Sequence, residues 1–293
     1  MREGAAAVLA VLFLAAGCSR TKQAIEQPSI VPLEVGDQPI FAVAWSPDGS
    51  LIGVGTDLGD VMVFDANTGE LLNTLPRTLG RVTDLAFNAS GRRLLGVSLD
   101  GRWCEWFVAT ASVPTECYFD EPPLLGTKLT RLEGPVVAPP GAWAAREVTN
   151  AVLAVEPNGL TLDGHPLWSP PRGDTVTAGA VSPRFAAVGT RSGRLFLLDH
   201  TGKVLASARY GVHRINTVSI SPDSRLVADG GVDGVLRFSA VPDLRLVSTL
   251  PFETGWITDC DFSPDGSRIV VAGHDLTHRP GVNRVRVWQV PAE

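Results

Sequence analysis

Phe41-Ala-Val-Ala-Trp-Ser-Pro-Asp-Gly49 decides the fold, because it returns near the C-terminus as Ile257-Thr-Asp-Cys-Asp-Phe-Ser-Pro-Asp-Gly266. Looser copies lie between the two: Val82-Thr-Asp-Leu-Ala-Phe-Asn-Ala-Ser-Gly91, Val176-Thr-Ala-Gly-Ala-Val-Ser-Pro183 and Ile215-Asn-Thr-Val-Ser-Ile-Ser-Pro-Asp-Ser224. In each, an alternation of period two runs into a turn, and that period describes a strand. The turn has its own chemistry: proline presets φ, aspartate or serine bonds the local backbone, and glycine accepts a positive φ. A second alternating segment follows, as at Leu51 to Gly55 and Arg93 to Ser98.

Each second segment ends in a short glycine turn: Leu58-Gly59-Asp60, Asp100-Gly101, Ser192-Gly193 or Asp233-Gly234. A third segment comes next, at Val61 to Asp65, Trp103 to Val108, Leu195 to Asp199, Leu236 to Ser239 and Val285 to Val290. Turns such as Ala66-Asn67-Thr68-Gly69 and His200-Thr201-Gly202 then lead to a fourth. Thirty glycines and 22 prolines, spread along the chain, fit this density of turns. Four strands in a unit of about 40–45 residues match the blade of a β-propeller. The expected fold is all-β, built from four-stranded antiparallel blades.

These residues resemble the WD-repeat family. The Ser-Pro-Asp-Gly turn, the Asp-Gly turn and the third-strand ending Val285-Arg286-Val287-Trp288 carry the resemblance, which covers nearly all of the chain after about Ile30. Its departures are specific. Only Trp106 and Trp288 hold the family's third-strand tryptophan; Phe64, Leu198 and Ser239 occupy the matching places. The Gly-His pair that begins many family repeats is missing, with His213 a partial echo. The family's buried polar tetrad is thus mostly absent, and apolar packing between blades is expected to do more of the work.

The first residues of the turns, Ser46, Asn88, Ala138, Ser182, Ser221 and Ser263, stand 39 to 50 residues apart and give six blades. Ala138 is the poorest anchor, since Thr130 to Leu167 contains Pro139-Pro140 and only short alternations at Ala142 to Glu147 and Ala151 to Val155. Seven blades of roughly 38 residues each are the alternative. The last repeat stops after three strands, at Val290-Pro291-Ala292-Glu293, while Ile30-Val31-Pro32-Leu33-Glu34-Val35 precedes the first repeat as a spare strand. That N-terminal strand is expected to complete the last blade as its outermost member and so close the ring. Pro32 is acceptable there because an outermost strand has one unpaired edge.

Ahead of the propeller, assigned to residues 30–293, Arg2 precedes an uncharged run from Gly4 to Gly17. The run is too short for a permanent membrane helix and suits the apolar region of a signal peptide. Leu14-Ala15-Ala16-Gly17-Cys18 resembles the lipobox of bacterial lipoproteins, with Ala15 where leucine is commoner. The resemblance implies a signal peptide at residues 1–17, cleavage before Cys18 and diacylation of Cys18. Acyl chains, at roughly 0.8 kcal/mol per buried methylene, then anchor the chain without a protein span. Residues 18–29 become the lipidated cysteine and its tether, whose polar part reaches on the order of 30 Å when extended. The alternatives are an ordinary secretory signal with an incidental cysteine, or a misassigned start codon. The expected location is the bacterial cell envelope, lipid-anchored. Ser19, by the same resemblance, is compatible with the outer membrane or a periplasm-facing site rather than the inner membrane.

A net charge of −6, with lysine at only three positions and the arginines scattered, gives no basic stripe for phosphates, so nucleic acid is not an expected partner. Cys104 and Cys117 fall on adjacent strands of one hairpin and form a possible disulfide; Cys260, in an alternating strand, reads as a small buried hydrophobe.

Enzyme motifs are absent: no Gly-x-Ser-x-Gly elbow, Ser-x-x-Lys pair, phosphate loop or Cys-x-x-Cys occurs. No catalytic residue, cofactor or metal is assigned. Gly230-Gly231-Val232-Asp233-Gly234 reads as a strand-joining turn, and Asp259-Cys260-Asp261 as ordinary strand. His274-Asp275-Leu276-Thr277-His278-Arg279 could hold a divalent metal if its loop folded back, but a solvated loop is expected. In a propeller the loops from second to third and from fourth to first strand open on one face. That face would gather Arg77, Arg81, Tyr210, His213, Arg214, Trp256, His278 and Arg279 around one mouth of the channel. Aromatic residues and arginines anchor protein interfaces. The expected function is a non-enzymatic, rigid platform for protein partners in the envelope, touching the membrane through its lipid only. The rival is a hydrolytic or ligand-sensing propeller with a metal or small molecule at the channel mouth.

Overall fold

The Ser-Pro-Asp-Gly turn closes on itself through its own side chains. Ser46 Oγ donates to Asp48 Oδ1 (2.6 Å) and accepts from Leu51 N (2.8 Å), so the two strands it joins leave it antiparallel. Ser221 repeats this with Asp223 (2.6 Å) and Leu226 N (2.9 Å), and Ser263 with Asp265 (2.5 Å) and Arg268 N (2.9 Å). Gly49 and Gly266 take the positive φ of the last turn position; Ser224, replacing glycine, takes it too, at 59°. A computed structural model describes residues 31–77, 80–100, 102–109, 117–118, 144–148, 151–211, 213–252, 255–274 and 284–291.

Among these residues, 24 strands form six four-stranded sheets. Strand β1 (Val31–Leu33) precedes the first full repeat: β2 (Ile40–Trp45), β3 (Leu51–Thr56), β4 (Val61–Asp65) and β5 (Leu71–Leu75). The second is β6 (Val82–Phe87), β7 (Arg93–Ser98), β8 (Trp103–Phe107) and β9 (Cys117–Tyr118). The third is β10 (Ala144–Val148), β11 (Ala151–Glu156), β12 (Gly159–Leu162) and β13 (His165–Trp168). The fourth is β14 (Val176–Val181), β15 (Ala186–Thr190), β16 (Arg194–Leu198) and β17 (Val204–Arg209). The fifth is β18 (Ile215–Ile220), β19 (Leu226–Gly231), β20 (Val235–Ala240) and β21 (Arg245–Pro251). The chain ends with β22 (Trp256–Phe262), β23 (Arg268–His274) and β24 (Arg284–Gln289). The sixth sheet has the order β1-β24-β23-β22, Val31 lying opposite Val287 and Leu33 opposite Val285.

Three sequence readings are corrected here. The two alternations of the third repeat are its first and second strands, so its first turn falls between Val148 and Ala151 and not at Ala138, which lies outside the described residues. Gly230 and Gly231 belong to β19, and the turn is only Val232–Gly234. His274 belongs to β23 and not to the following loop.

The core lies between the sheets. Separate apolar layers join the sixth sheet to the first, the first to the second, the third to the fourth, the fourth to the fifth and the fifth to the sixth. Glycines set these spacings. A Cβ on Gly55, Gly189 or Gly230 would meet Val82 Cγ1, Ile215 Cγ2 or Ile257 Cγ2 at 2.5, 2.6 and 2.7 Å. In each case the first or second residue of the next sheet's first strand presses a branched side chain into the gap.

Packing is not apolar alone. Thr177 Oγ1 donates to Ile215 O (2.6 Å), Asn216 Nδ2 to Ile257 O (2.9 Å) and Thr258 Oγ1 to Ile40 O (2.8 Å), a repeated stitch from sheet to sheet. Asp259 accepts from Thr217 Oγ1 and from Val43 N, each at 3.0 Å, tying the fifth, sixth and first sheets together. Trp45 Nε1 donates to Asp261 O (3.0 Å), and Arg268 reaches Ala66 O, Asn67 Oδ1 and Gly49 O at 3.0–3.2 Å. Cys104 and Cys117, opposite each other on β8 and β9, are joined by a disulfide, and Cys260 is buried, its thiol 3.7 Å from Thr217 Oγ1. No helix among the described residues is long and apolar enough to cross a membrane.

Candidate functional site

Because the sheets are antiparallel, the links β3–β4, β7–β8, β15–β16 and β19–β20 share one end with the segments leading from each sheet to the next. Six of the eight residues expected around a mouth are described at this end. Their surroundings divide them into three kinds.

Trp256 and Tyr210 are built into the fold. Trp256, half-buried, lies opposite His274 in the ladder, their rings 5.9 Å apart and edge-on. His274 also packs at 5.1 Å from Phe41. The Tyr210 hydroxyl donates to Leu244 O and lies 3.0 Å from Ser239 Oγ. Burial is the first cause that lifts its pKa above the ordinary phenol value.

Arg77 and Arg81 are held by neighbouring carboxylates. Arg77 makes a forked pair with Asp60, Nε–Oδ1 at 2.7 Å and Nη2–Oδ2 at 2.5 Å, and its hydrogen bond is the main reason the Asp60 pKa is lowered. Arg81 pairs with Asp57 and lies 4.6 Å above the Phe41 ring. A row of rings and cation thus runs Trp256–His274–Phe41–Arg81 across the sixth, first and second repeats. Leu58 (54% exposed) and Leu99 (68%) project at nearby turn tips, and Leu99 shares a shallow depression with Asp57, Gly80, Arg81 and Asp100. The sequence reading passed over both leucines, although each stands where a polar turn residue is the rule.

His213 and Arg214 are exposed side chains on a pinned backbone. A Cβ on Gly193 would meet His213 O at 2.6 Å, one on Gly231 would meet Arg214 O at 2.1 Å, and Val232 N donates to Arg214 O. His278 and Arg279 lie outside the described residues, as does Cys18. No group of three or more His, Cys, Asp or Glu with metal-holding geometry occurs among the described residues. His274 itself is a buried strand residue.

The family model for the WD domain, G-beta repeat, matches residues 199–238 and 244–279, and that for the anaphase-promoting complex subunit 4 WD40 domain matches residues 29–90. The chain carries WD40 repeats. Two solved WD40 folds superpose on almost all of it. The crystal structure of RRP9 WD40 repeats gives a TM-score of 0.64 at 16% identity, over 91% of this chain and 99% of that one. The structure of U3-55K gives 0.65 at 15%, over 90% and 100%. At such identities the likeness is one of fold. A curated relative, eukaryotic translation initiation factor 3 subunit I of Phaeosphaeria nodorum, is 37% identical over 72 residues, which is 25% of this chain and 21% of that protein. The matched segment therefore spans about a fifth of that relative's length. WD40 repeats generally mediate protein–protein interaction and are typically scaffolds without enzymatic activity.

Proposed function

We propose that this WD40 protein is a lipid-anchored envelope platform, a six-bladed ring closed by β1, that binds protein partners through the loop end of its sheets. The observation that carries the reading is the contrast at that end: exposed His213 and Arg214 stand on backbone held by glycine contacts to two successive sheets. Side chains presented on a fixed backbone lose little freedom on binding, which is where a rigid scaffold gains affinity.

The strand polarity of β1 fits an N-terminal anchor. Val31 lies opposite Val287, towards the Arg268–Gln289 end of the sixth sheet, where the Ser263-Pro-Asp-Gly turn sits. Chain approaching from Cys18 therefore joins the sheets at their turn end. A short lipid tether would hold that end near the bilayer and point the loop end away from it.

Crosslinking in intact cells tests the reading, with the chain intact, with Cys18→Ser, and with His213→Ala and Arg214→Ala combined. Cys18→Ser should move the protein from the detergent phase to the aqueous phase. The loop variant should keep its membrane position and lose its neighbours. If the same neighbours are recovered at the same yield, the loop end is not the binding face.

A further inference from the structure

Two groups among the described arginines stand in contrast. Arg77, Arg81, Arg93, Arg102, Arg225 and Arg237 each make an ion pair. Arg172, Arg191, Arg194, Arg209 and Arg214 are all exposed and make none with any described residue, yet they converge on the loop end of the fourth sheet.

Backbone contacts bring them together from three separate segments. Arg191 N donates to Thr175 O at 2.9 Å and Ser192 to Asp174, which lays the segment after Arg172 onto the β15–β16 turn. Gly193, at φ +81°, lies under the backbone of Gly211 and His213, which brings Arg214 to the same turn. Arg194 and Arg209 stand directly opposite on β16 and β17, an arrangement of like charges that disfavours the free protein. Among the described residues two carboxylates flank the patch, and both are engaged. Asp174 holds Ser192, and Asp233 pairs with Arg237.

Blunting of a sheet edge by charge explains Arg209 alone, since the other four lie off the outermost strand. Five exposed guanidinium groups with no ion pair to a described residue, Arg209 Nε alone donating to a backbone oxygen (Gly211 O, 3.1 Å), within a chain of net charge −6, call for an anionic ligand whose groups match a planar donor pair. The strand that runs from the patch says which kind. Strand β17, which ends at Arg209, is outermost in its sheet with an edge unpaired among the described residues, and exposed Val204 and Leu205 stand at its far, turn end. Apolar side chains and free backbone bonds suit a polypeptide; neither has a counterpart in a phosphate polymer.

We propose that this end of the fourth sheet docks an acidic, extended segment of a protein partner, its carboxylates on the arginines and its chain along β17. This rests on the platform reading above and names the partner's chemistry.

The test uses the whole purified chain and a short labelled peptide alternating glutamate with leucine. The same chain is also offered a lysine–leucine peptide, a single-stranded DNA oligonucleotide and phosphatidylglycerol vesicles. Saturable binding of the acidic peptide is expected, weakening as salt is raised. Arg191→Glu, Arg194→Glu and Arg214→Glu combined should weaken it by at least about tenfold, as loss of several charge-assisted pairs requires. Arg92→Glu with Arg245→Glu, at the other end of the sheets, should not. Glutamine at the three patch positions keeps the side-chain bulk and should give an intermediate loss, which guards against a misfolded triple variant.

Undiminished peptide binding by both patch variants would overturn the proposal. So would tighter, patch-dependent binding of the DNA or the vesicles. Crosslinking with Arg191→Glu and Arg194→Glu alone, which leaves His213 and Arg214 in place, separates this failure from that of the platform reading: neighbours captured equally by the intact chain and this double variant, but lost with His213→Ala and Arg214→Ala, leave the platform standing and remove the acidic dock.

Discussion

Asp229 is an acid buried within a strand, where the fold opposes its charge. It is 1% exposed, its Oδ1 has no hydrogen-bond partner among the described residues, and Arg237 Nη1 approaches Oδ2 only to 3.6 Å while turning its other amine to Asp233. Burial pushes its pKa up to about 7, with Arg237 opposing and the Asp233 charge adding to the rise. The sign of the consequence follows. Between the unfolded value of 3.8 and about 7 the folded chain binds the extra proton, so stability falls as pH rises through that window. Asp265 and Asp100, lowered to about 2 chiefly by hydrogen bonds from Ser263 and Arg102, act the other way but only below the unfolded carboxylate value. The urea midpoint of the intact chain should therefore decline from pH 5 to pH 8 more steeply than that of Asp229→Asn; parallel curves for the two would refute the assignment. Nothing in the sequence marked Asp229. Every residue of Leu226–Gly231 is buried, so the strand has no solvated face and the period-two signal that locates buried positions elsewhere vanishes.

At the level of the element, the repeated turn was legible because its chemistry is local: Ser46, Asp48 and Gly49 interact within five residues, and sequence order alone brings them together. Strands beside such turns were placed to within a residue or so, as for Arg93–Ser98 and for Arg284–Gln289 against the expected Val285 to Val290. The third repeat was misplaced because it lacks that turn, and only its alternations remained to read. What stayed hidden was the use of glycine within second strands, which depends on a neighbour 26 or 27 residues away: Val82 for Gly55, Ile215 for Gly189 and Ile257 for Gly230. Gly230 has no turn to make inside β19; its place is fixed by the Ile257 side chain. Gly230→Ala would set a methyl within 2.7 Å of Ile257 Cγ2 and Gly230→Val more, and overpacking of this kind costs about 1–3 kcal/mol. Gly80→Ala, with nothing within 4 Å, should change stability by less than about 0.5 kcal/mol. Pairing Gly230→Ala with Ile257→Ala, which removes Cγ2, should recover part of the loss. Additive effects in that double-mutant cycle would show that the two side chains do not compete for the same space.

For the whole molecule, the outcome turns on what becomes of the chain's two ends. A stack of sheets each packed on the next leaves two unpaired apolar faces unless the last meets the first. Here the sixth sheet meets the first through Asp259 to Val43, Trp45 to Asp261 and Arg268 to Gly49, contacts more than 200 residues apart in sequence. Strand β1 adds a second tie, for it pairs with β24 on one side while Gly69, in the β4–β5 turn, fits beneath Pro32 O with room for no Cβ on the other. The spare N-terminal strand was legible because the last repeat visibly lacks a fourth one. The polar ties were not, since Asp259 and Val43 share no motif. Leu33 and Val35 are nearly fully buried in the layer between the sixth and first sheets, and each such side chain contributes about 1.5–3 kcal/mol. Deleting residues 30–35 should therefore cost about 3–6 kcal/mol, a large part of the roughly 5–15 kcal/mol that holds a domain together. It also bares the edge of β24, so the truncated chain should associate at concentrations where the intact chain does not. Leu33→Ala, which keeps the strand and its backbone pairing, should cost about 2–5 kcal/mol without exposing that edge, and so should lower the denaturation midpoint without promoting association. An unchanged midpoint for both variants would mean that the ring we propose is not closed by β1 and that the first and sixth sheets hold their junction unaided.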